Sequence, residues 1–223
     1  MKKTLLILIS LMSVGQIVLA QESVLDKVIA HNDTLFNIQK DYNETKEWID
    51  GMGDPYTFPE GMSDDKPNVP AYYMVDIEEN YPGTGMHHEK VYIYHSDQEG
   101  ISGEEVFPPQ RIVFAKTNYN FAARNYYEEY LYDSKGRIEY IYASHCVDNV
   151  FPDTEFRLYF KSGKLIKLIV MSRKLTESEE LEISYIGKKV PERYADTYNS
   201  LLHKSGLIKK MFEAINGYQY NNL

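Results

Sequence analysis

A strand–turn–strand unit that occurs twice is the feature that most restricts what this chain can fold into. In EYLYDSKGRIEYIYAS, Glu129 to Ser144, the residues Tyr130, Tyr132, Ile138, Tyr140 and Tyr142 fall on alternate positions, the period of a β-strand. Between them, Asp133-Ser134-Lys135-Gly136 offers a type I turn, with Gly136 free to take the left-handed conformation that closes a bulged hairpin. The pattern returns in RLYFKSGKLIKLIV, where Tyr159, Phe160, Gly163, Lys164 and Leu165 align with Tyr132, Asp133, Gly136, Arg137 and Ile138. A looser third copy pairs KVYIYHS with QRIVFAKT, the loop from Asp97 to Pro109 replacing the short turn. These placements predict positive φ at Gly136 and Gly163 and give the glycines and tyrosines structural roles.

The segment YDSKGRI resembles the repeat core of YD-repeat (Rhs-type) proteins and of related antitoxin-like hairpin repeats, in which a strand, a glycine turn and another strand recur. The resemblance covers two short segments within Glu128 to Val170, and the second copy has Phe160 where the motif has Asp. It implies a hairpin unit, and no functional residue is carried over from it.

The first twenty residues read as an export signal that is cleaved after Ala20: Lys2 and Lys3, an apolar run from Leu5 to Met12, then Val18-Leu19-Ala20. The expected product is exported, periplasmic or secreted, and starts at Gln21. No later segment approaches the roughly 18 consecutive apolar residues of a membrane helix. Loss of Lys2 and Lys3 leaves 22 basic against 33 acidic side chains, a net charge of −11. A polyanion is therefore a poor partner, and no nucleic acid is expected. Its best basic stripe, Lys161, Lys164 and Lys167, reads as a solvated strand edge guarded by lysines. Cys146 is the sole cysteine, so the chain relies on its core rather than on a disulfide.

From Val24 to Ile49 apolar residues recur at three- and four-residue spacing, predicting one long or two consecutive helices ended by Gly51 and Gly53. GMGDPYTFPEGMSDDKPNVP, residues 51–70, reads as a long loop. Strands are predicted at Tyr72–Ile77, Lys90–His95, Arg111–Thr117, Arg124–Tyr132, Arg137–Ser144, Glu155–Phe160, Lys164–Met171 and Leu181–Ile186. With no helix-length crossover between them, they form an antiparallel meander across residues 71–186. Helical spacing returns from Pro191 to Ile215, interrupted at Gly206, within a helical region 187–223. The expected fold is a single α+β domain over residues 21–223, an antiparallel meander of six to eight strands with N- and C-terminal helices packed on one face.

With one face covered, the other becomes the candidate recognition surface. Twenty tyrosines are present, and tyrosine joins a large apolar body to a polar tip. Tyr130, Tyr132, Tyr140, Tyr142, Arg157 and Tyr159 are the candidate binding residues, within a contiguous aromatic patch open to solvent. A protein, peptide or glycan is the partner class that such a surface fits.

Catalytic signals are weaker. His145 and Cys146 are adjacent, but strand neighbours point to opposite faces, so His145 is badly placed as the base for a Cys146 nucleophile. His87-His88-Glu89 and His95-x-Asp97-x-Glu99 are the histidine–carboxylate clusters. A strand between them would hold their ends roughly 20 Å apart, and neither has zinc-ligand spacing. The loop acids Asp97, Glu99, Glu104 and Glu105 lack the EF-hand pattern. No metal and no cofactor is expected; serine-nucleophile, P-loop and dinucleotide fingerprints are missing. The sequence thus favours a non-enzymatic exported binding protein. A small hydrolase using the acids and histidines of 54–65 and 87–105 is the alternative.

Overall fold

The structure, a computed structural model, describes residues 25–50, 71–83, 85–98, 109–121, 124–146, 153–173 and 181–220. The segments expected to be an export signal (1–20) and a long loop (51–70) lie outside these residues. Eight strands, β1 (Ala71–Tyr81), β2 (Gly85–Asp97), β3 (Gln110–Phe121), β4 (Arg124–Tyr132), β5 (Ile138–Cys146), β6 (Thr154–Lys161), β7 (Lys164–Arg173) and β8 (Leu181–Gly187), form one sheet. They lie in chain order, each antiparallel to its neighbours. The meander is therefore as expected, with strands longer at their ends than alternation alone marked. Among the described residues helices are fewer than strands: α1 (residues 25–30), α2 (Asp33–Asp50) and α3 (Ala195–Tyr220), the last preceded by a 3₁₀ turn at Glu192–Tyr194.

Both hairpin turns have the predicted backbone. Gly136 has φ 66° and Gly163 φ 76°, values at which a Cβ is strained. In the first turn the Asp133 carboxylate accepts the amides of Lys135 and Arg137, both at 2.9 Å, and Nε of Arg137 at 2.8 Å. Partial burial works against the charged carboxylate, yet these donors outweigh it and hold its pKa below the usual value. In the second turn Ser162, at φ 53°, joins Gly163 in a two-residue loop between the paired Lys161 and Lys164, the mirror-image turn whose twist matches its strands.

The helices do not share a face, which corrects the expected arrangement. Helices α1 and α2 bury Leu25, Ile29, Leu35, Ile38, Tyr42 and Ile49 against Tyr94, Phe114, Leu131, Tyr140, Tyr159 and Ile169. Helix α3 buries Leu201, Ile208 and Phe212 on the opposite side, against Val91, Ile93, Tyr130, Ile141, Leu158 and Val170. The physical reason lies in three runs whose consecutive residues are all buried: Tyr130-Leu131-Tyr132, Leu158-Tyr159-Phe160 and Leu168-Ile169-Val170. Successive strand residues point to opposite faces, so runs of this kind require cover on both.

Two smaller corrections follow from packing. Gly206 does not interrupt α3, which runs through it. A mid-helix glycine costs about 1 kcal/mol relative to alanine, and burial of Leu201, Ile208 and Phe212 along the same helix outweighs that. Lys161 and Lys164 sit at the exposed tip of a hairpin between two interior strands, not on an edge; the sheet edges are β1 and β8.

Candidate functional site

The six candidate binding residues are divided between the two faces. Tyr130 and Tyr132 point toward α3, with the Tyr132 hydroxyl donating to the Ser205 carbonyl at 2.9 Å. Tyr140, Tyr142, Arg157 and Tyr159 lie on the α2 side, where the Tyr159 hydroxyl donates to Oε1 of Gln39 at 2.8 Å. Tyr130, Tyr132, Tyr140 and Tyr159 are at most 4% exposed. Burial pushes the Tyr159 hydroxyl up to about 12, so it stays protonated as a donor. Tyr142 and Arg157 are half-buried: the Tyr142 hydroxyl donates to Glu155 at 2.9 Å, and the Arg157 guanidinium lies 5.8 Å from its ring centre. The expected open patch around Tyr159 and Arg157 is therefore core, because each face carries a helix.

Open aromatic surface lies elsewhere, at the far strand ends on the α3 side. A row of rings crosses the sheet there, each touching the next. Tyr81 meets Phe121 and His87 at 6.1 and 6.0 Å, and His87 meets Tyr119 at 5.9 Å. Tyr119 stacks on Tyr126 at 4.8 Å and 6°, Tyr126 meets His145 edge-on at 4.8 Å, and His145 reaches Phe156 at 5.5 Å. Cross-strand pairing sets this row, since Tyr119, Tyr126 and His145 are direct partners across β3, β4 and β5. Phe121 is 48% exposed and Tyr81 37%.

Beside this row the first turns of α3 wall off a cleft of 420 Å³, lined by Tyr119, Phe121, Arg124, Tyr126, Glu128 and His145 from the sheet and Asp196, Thr197, Ser200 and Leu201 from the helix. Its floor carries a buried charge. Glu128, 2% exposed, accepts the Tyr119 hydroxyl at 2.8 Å and the Tyr130 hydroxyl at 2.5 Å, and pairs with Nζ of Lys204 at 3.4 Å. Lys204 also pairs with Glu89 at 3.2 Å and lies 3.5 Å from the centre of the Tyr119 ring, a cation over an aromatic face. Thr117 donates to Glu89 at 2.7 Å. Three donors, one of them a cation, thus hold the Glu128 carboxylate in place.

The rim differs. Among the described residues, the side-chain polar groups of Arg124, Tyr126, His145 and Asp196 have no hydrogen-bond or ion-pair partner, yet all four line the cleft. Burial lowers the His145 pKa; Glu128 pulls the other way, while Arg124 and Lys204 reinforce the lowering. The imidazole is neutral near pH 7, with one donor and one acceptor. Among the described residues no carboxylate bonds to it, as a catalytic base would require.

The other residues marked in the sequence have local roles. His95 is 6% exposed, stacks on Tyr73 at 4.5 Å and bonds Gln110 at 3.1 Å, as a core histidine does. His87 lies 3.5 Å from Glu89, and His88 pairs with Glu78 at 2.5 Å on the opposite face of β2. Glu99, Glu104 and Glu105, the 54–65 acids and the Cys146 side chain lie outside what is described.

Sequence reasoning passed over Tyr119, Phe121, Arg124, Asp196 and Lys204. A signal existed for Lys204: it follows Leu201 by three and precedes Ile208 by four, so a charge sits within the apolar stripe of α3. No comparable signal marked Asp196 or Arg124, which ordinary surface charges resemble. No family model matches this chain, and no curated protein or solved structure matches it.

Proposed function

We propose that this is an exported protein that acts by binding, through the cleft between α3 and the β3–β4–β5 strand ends, rather than by catalysis. One juxtaposition carries the reading. Arg124, Tyr126, His145 and Asp196, uncommitted among the described residues, converge on a cleft with an aromatic flank. Arg124 and Asp196 are exposed and Tyr126 and His145 half-buried, so water can serve them until a ligand replaces it, and a concave site with a few convergent polar groups is the form that small-ligand sites take. Against catalysis stand the structural engagement of Glu128 by three donors and, among the described residues, the lack of a carboxylate bonded to His145. Export rests on Lys2, Lys3, the apolar run and Val18-Leu19-Ala20, and N-terminal sequencing of the secreted product should begin at Gln21. The hairpin units supply the scaffold, as their resemblance to YD-type repeats implies.

The test is a small-fragment screen read by amide NMR on the exported chain. Hits should shift the amides of Tyr126, His145, Thr197 and Ser200, and Ser200→Trp, which fills the mouth from an exposed helix position, should abolish those shifts while the melting temperature holds. A library that perturbs only other surfaces, or none, removes the cleft reading.

A further inference from the structure

We infer that the cleft takes a neutral, hydroxyl-rich ring, a saccharide unit of one or two residues; this inference rests on the binding reading above and names its ligand class. Charge is the first argument. Beneath the cleft Lys204 pairs with Glu128 and Glu89, and at the rim the Arg124 charge is opposed by that of Asp196. Two cations stand against three carboxylates, so the site holds no surplus positive charge to capture an anion, and the acidic chain around it repels anions.

Donor and acceptor arrangement is the second. Arg124 offers only donors in a planar fork, Asp196 only acceptors, and His145, Tyr126, Thr197 and Ser200 offer both. A sugar hydroxyl is itself both donor and acceptor, and neighbouring hydroxyls on a ring match a guanidinium fork or a carboxylate. An apolar or purely anionic ligand leaves half of these groups unpaired, at a cost for each one that is desolvated.

Aromatic geometry is the third. Tyr126 has Tyr119 stacked on one side and His145 against it edge-on, so no slot remains to sandwich a flat aromatic ligand. Phe121 is the most open of the lining rings, and a partly open apolar ring suits the C–H face of a pyranose. An extended peptide has no main chain to pair with here, because β3, β4 and β5 are each hydrogen-bonded on both sides. The 420 Å³ volume lies at the small end of ligand pockets, where one or two sugar rings fit.

The experiment titrates the exported chain with maltose, cellobiose and N,N′-diacetylchitobiose, and separately with glucuronic acid, adenosine and a blocked Gly-Tyr-Gly peptide, following the cleft amides by NMR. At least one neutral disaccharide should shift Tyr126, His145 and Thr197 saturably. Arg124→Ala and Asp196→Asn, both at exposed positions, should each weaken it by about fivefold, the loss of one net hydrogen bond. If only the acid, the nucleoside or the peptide shifts these amides, or if only unrelated fragments do, the saccharide class falls and the binding cleft stands. If neither sugars nor the fragment library touch them, both fall. Sugar binding that ignores both substitutions overturns the proposed recognition.

Discussion

Glu128 and Glu129 are neighbours in sequence and lie on opposite faces of the sheet, each buried and each held by two tyrosine hydroxyls and one helix lysine. Glu128 is bound by Tyr119, Tyr130 and Lys204 of α3. Glu129, 1% exposed, is bound by Tyr42 and Lys46 of α2 and by Tyr127, with Lys46 at 3.0 Å. Two helices from opposite ends of the chain are thereby tied to adjacent positions of β4. Burial first, then the neighbouring carboxylate, raises the pKa of all four tyrosines, so they remain donors at neutral pH.

Removing either lysine leaves a buried carboxylate without its counter-charge. Lys204→Met should cost about 3 to 5 kcal/mol, since it strands both Glu128 and Glu89. Lys46, 39% exposed, leaves Glu129 closer to water, and Lys46→Met should cost about 1 to 3 kcal/mol. Urea denaturation measures both, and Glu128→Gln in the Lys204→Met background should recover part of the loss. A smaller loss for Lys204→Met than for Lys46→Met would contradict the network.

Two glycines should respond to alanine with opposite signs. Gly136→Ala forces a side chain to φ 66° and should destabilise by about 1 kcal/mol or more. Gly206 lies mid-helix with open space where its Cβ would sit, so Gly206→Ala should stabilise by up to about 1 kcal/mol. Thermal unfolding of the two variants decides, and equal shifts would refute the hairpin argument.

Tyrosine truncation should separate core from cleft. Tyr130→Ala and Tyr159→Ala, at positions fully buried, should each cost about 3 to 5 kcal/mol. Tyr159→Phe keeps the ring and deletes the hydroxyl that bonds Gln39 and Tyr140, and should cost about 1 to 2 kcal/mol. Tyr126→Ala, half-buried at the cleft, should cost clearly less than Tyr130→Ala. Near-equal losses in denaturant titrations would place Tyr126 in the core.

Stability should fall on mild acidification. His95 and His145 are both held below the ordinary imidazole value of 6.5, burial being the larger cause; Gln110 and Asp97 oppose it at His95, and Glu128 at His145. As pH falls through 6.5 the unfolded chain takes up protons that the fold still refuses, so stability is lost toward the lower folded values. Asp41 and Glu139, raised mainly by burial, act with the opposite sign but near the carboxylate range. Melting at pH 7.5 and 5.5 should show the drop, and a combined His95→Gln and His145→Gln variant should flatten it. An unchanged slope in that variant would assign the effect to other groups.

Alternation, turn residues and glycine positions are local properties, so the sequence by itself determined an antiparallel meander of six to eight strands, both hairpin turns and the helices at either end. Turn geometry fixes register over a few residues, and Asp133 and Gly136 carry it without help from distant chain. Which face each helix covers was decided by tertiary structure alone. Period-2 alternation divides side chains into two sets without saying which is wet, and Leu131, Tyr159 and Ile169 needed α2 above them before Tyr140 and Tyr159 became core. The cleft was hidden for the same reason. Arg124, His145 and Asp196 come from three elements, and only the seating of α3 across the sheet brings their charges and rings within reach of one another.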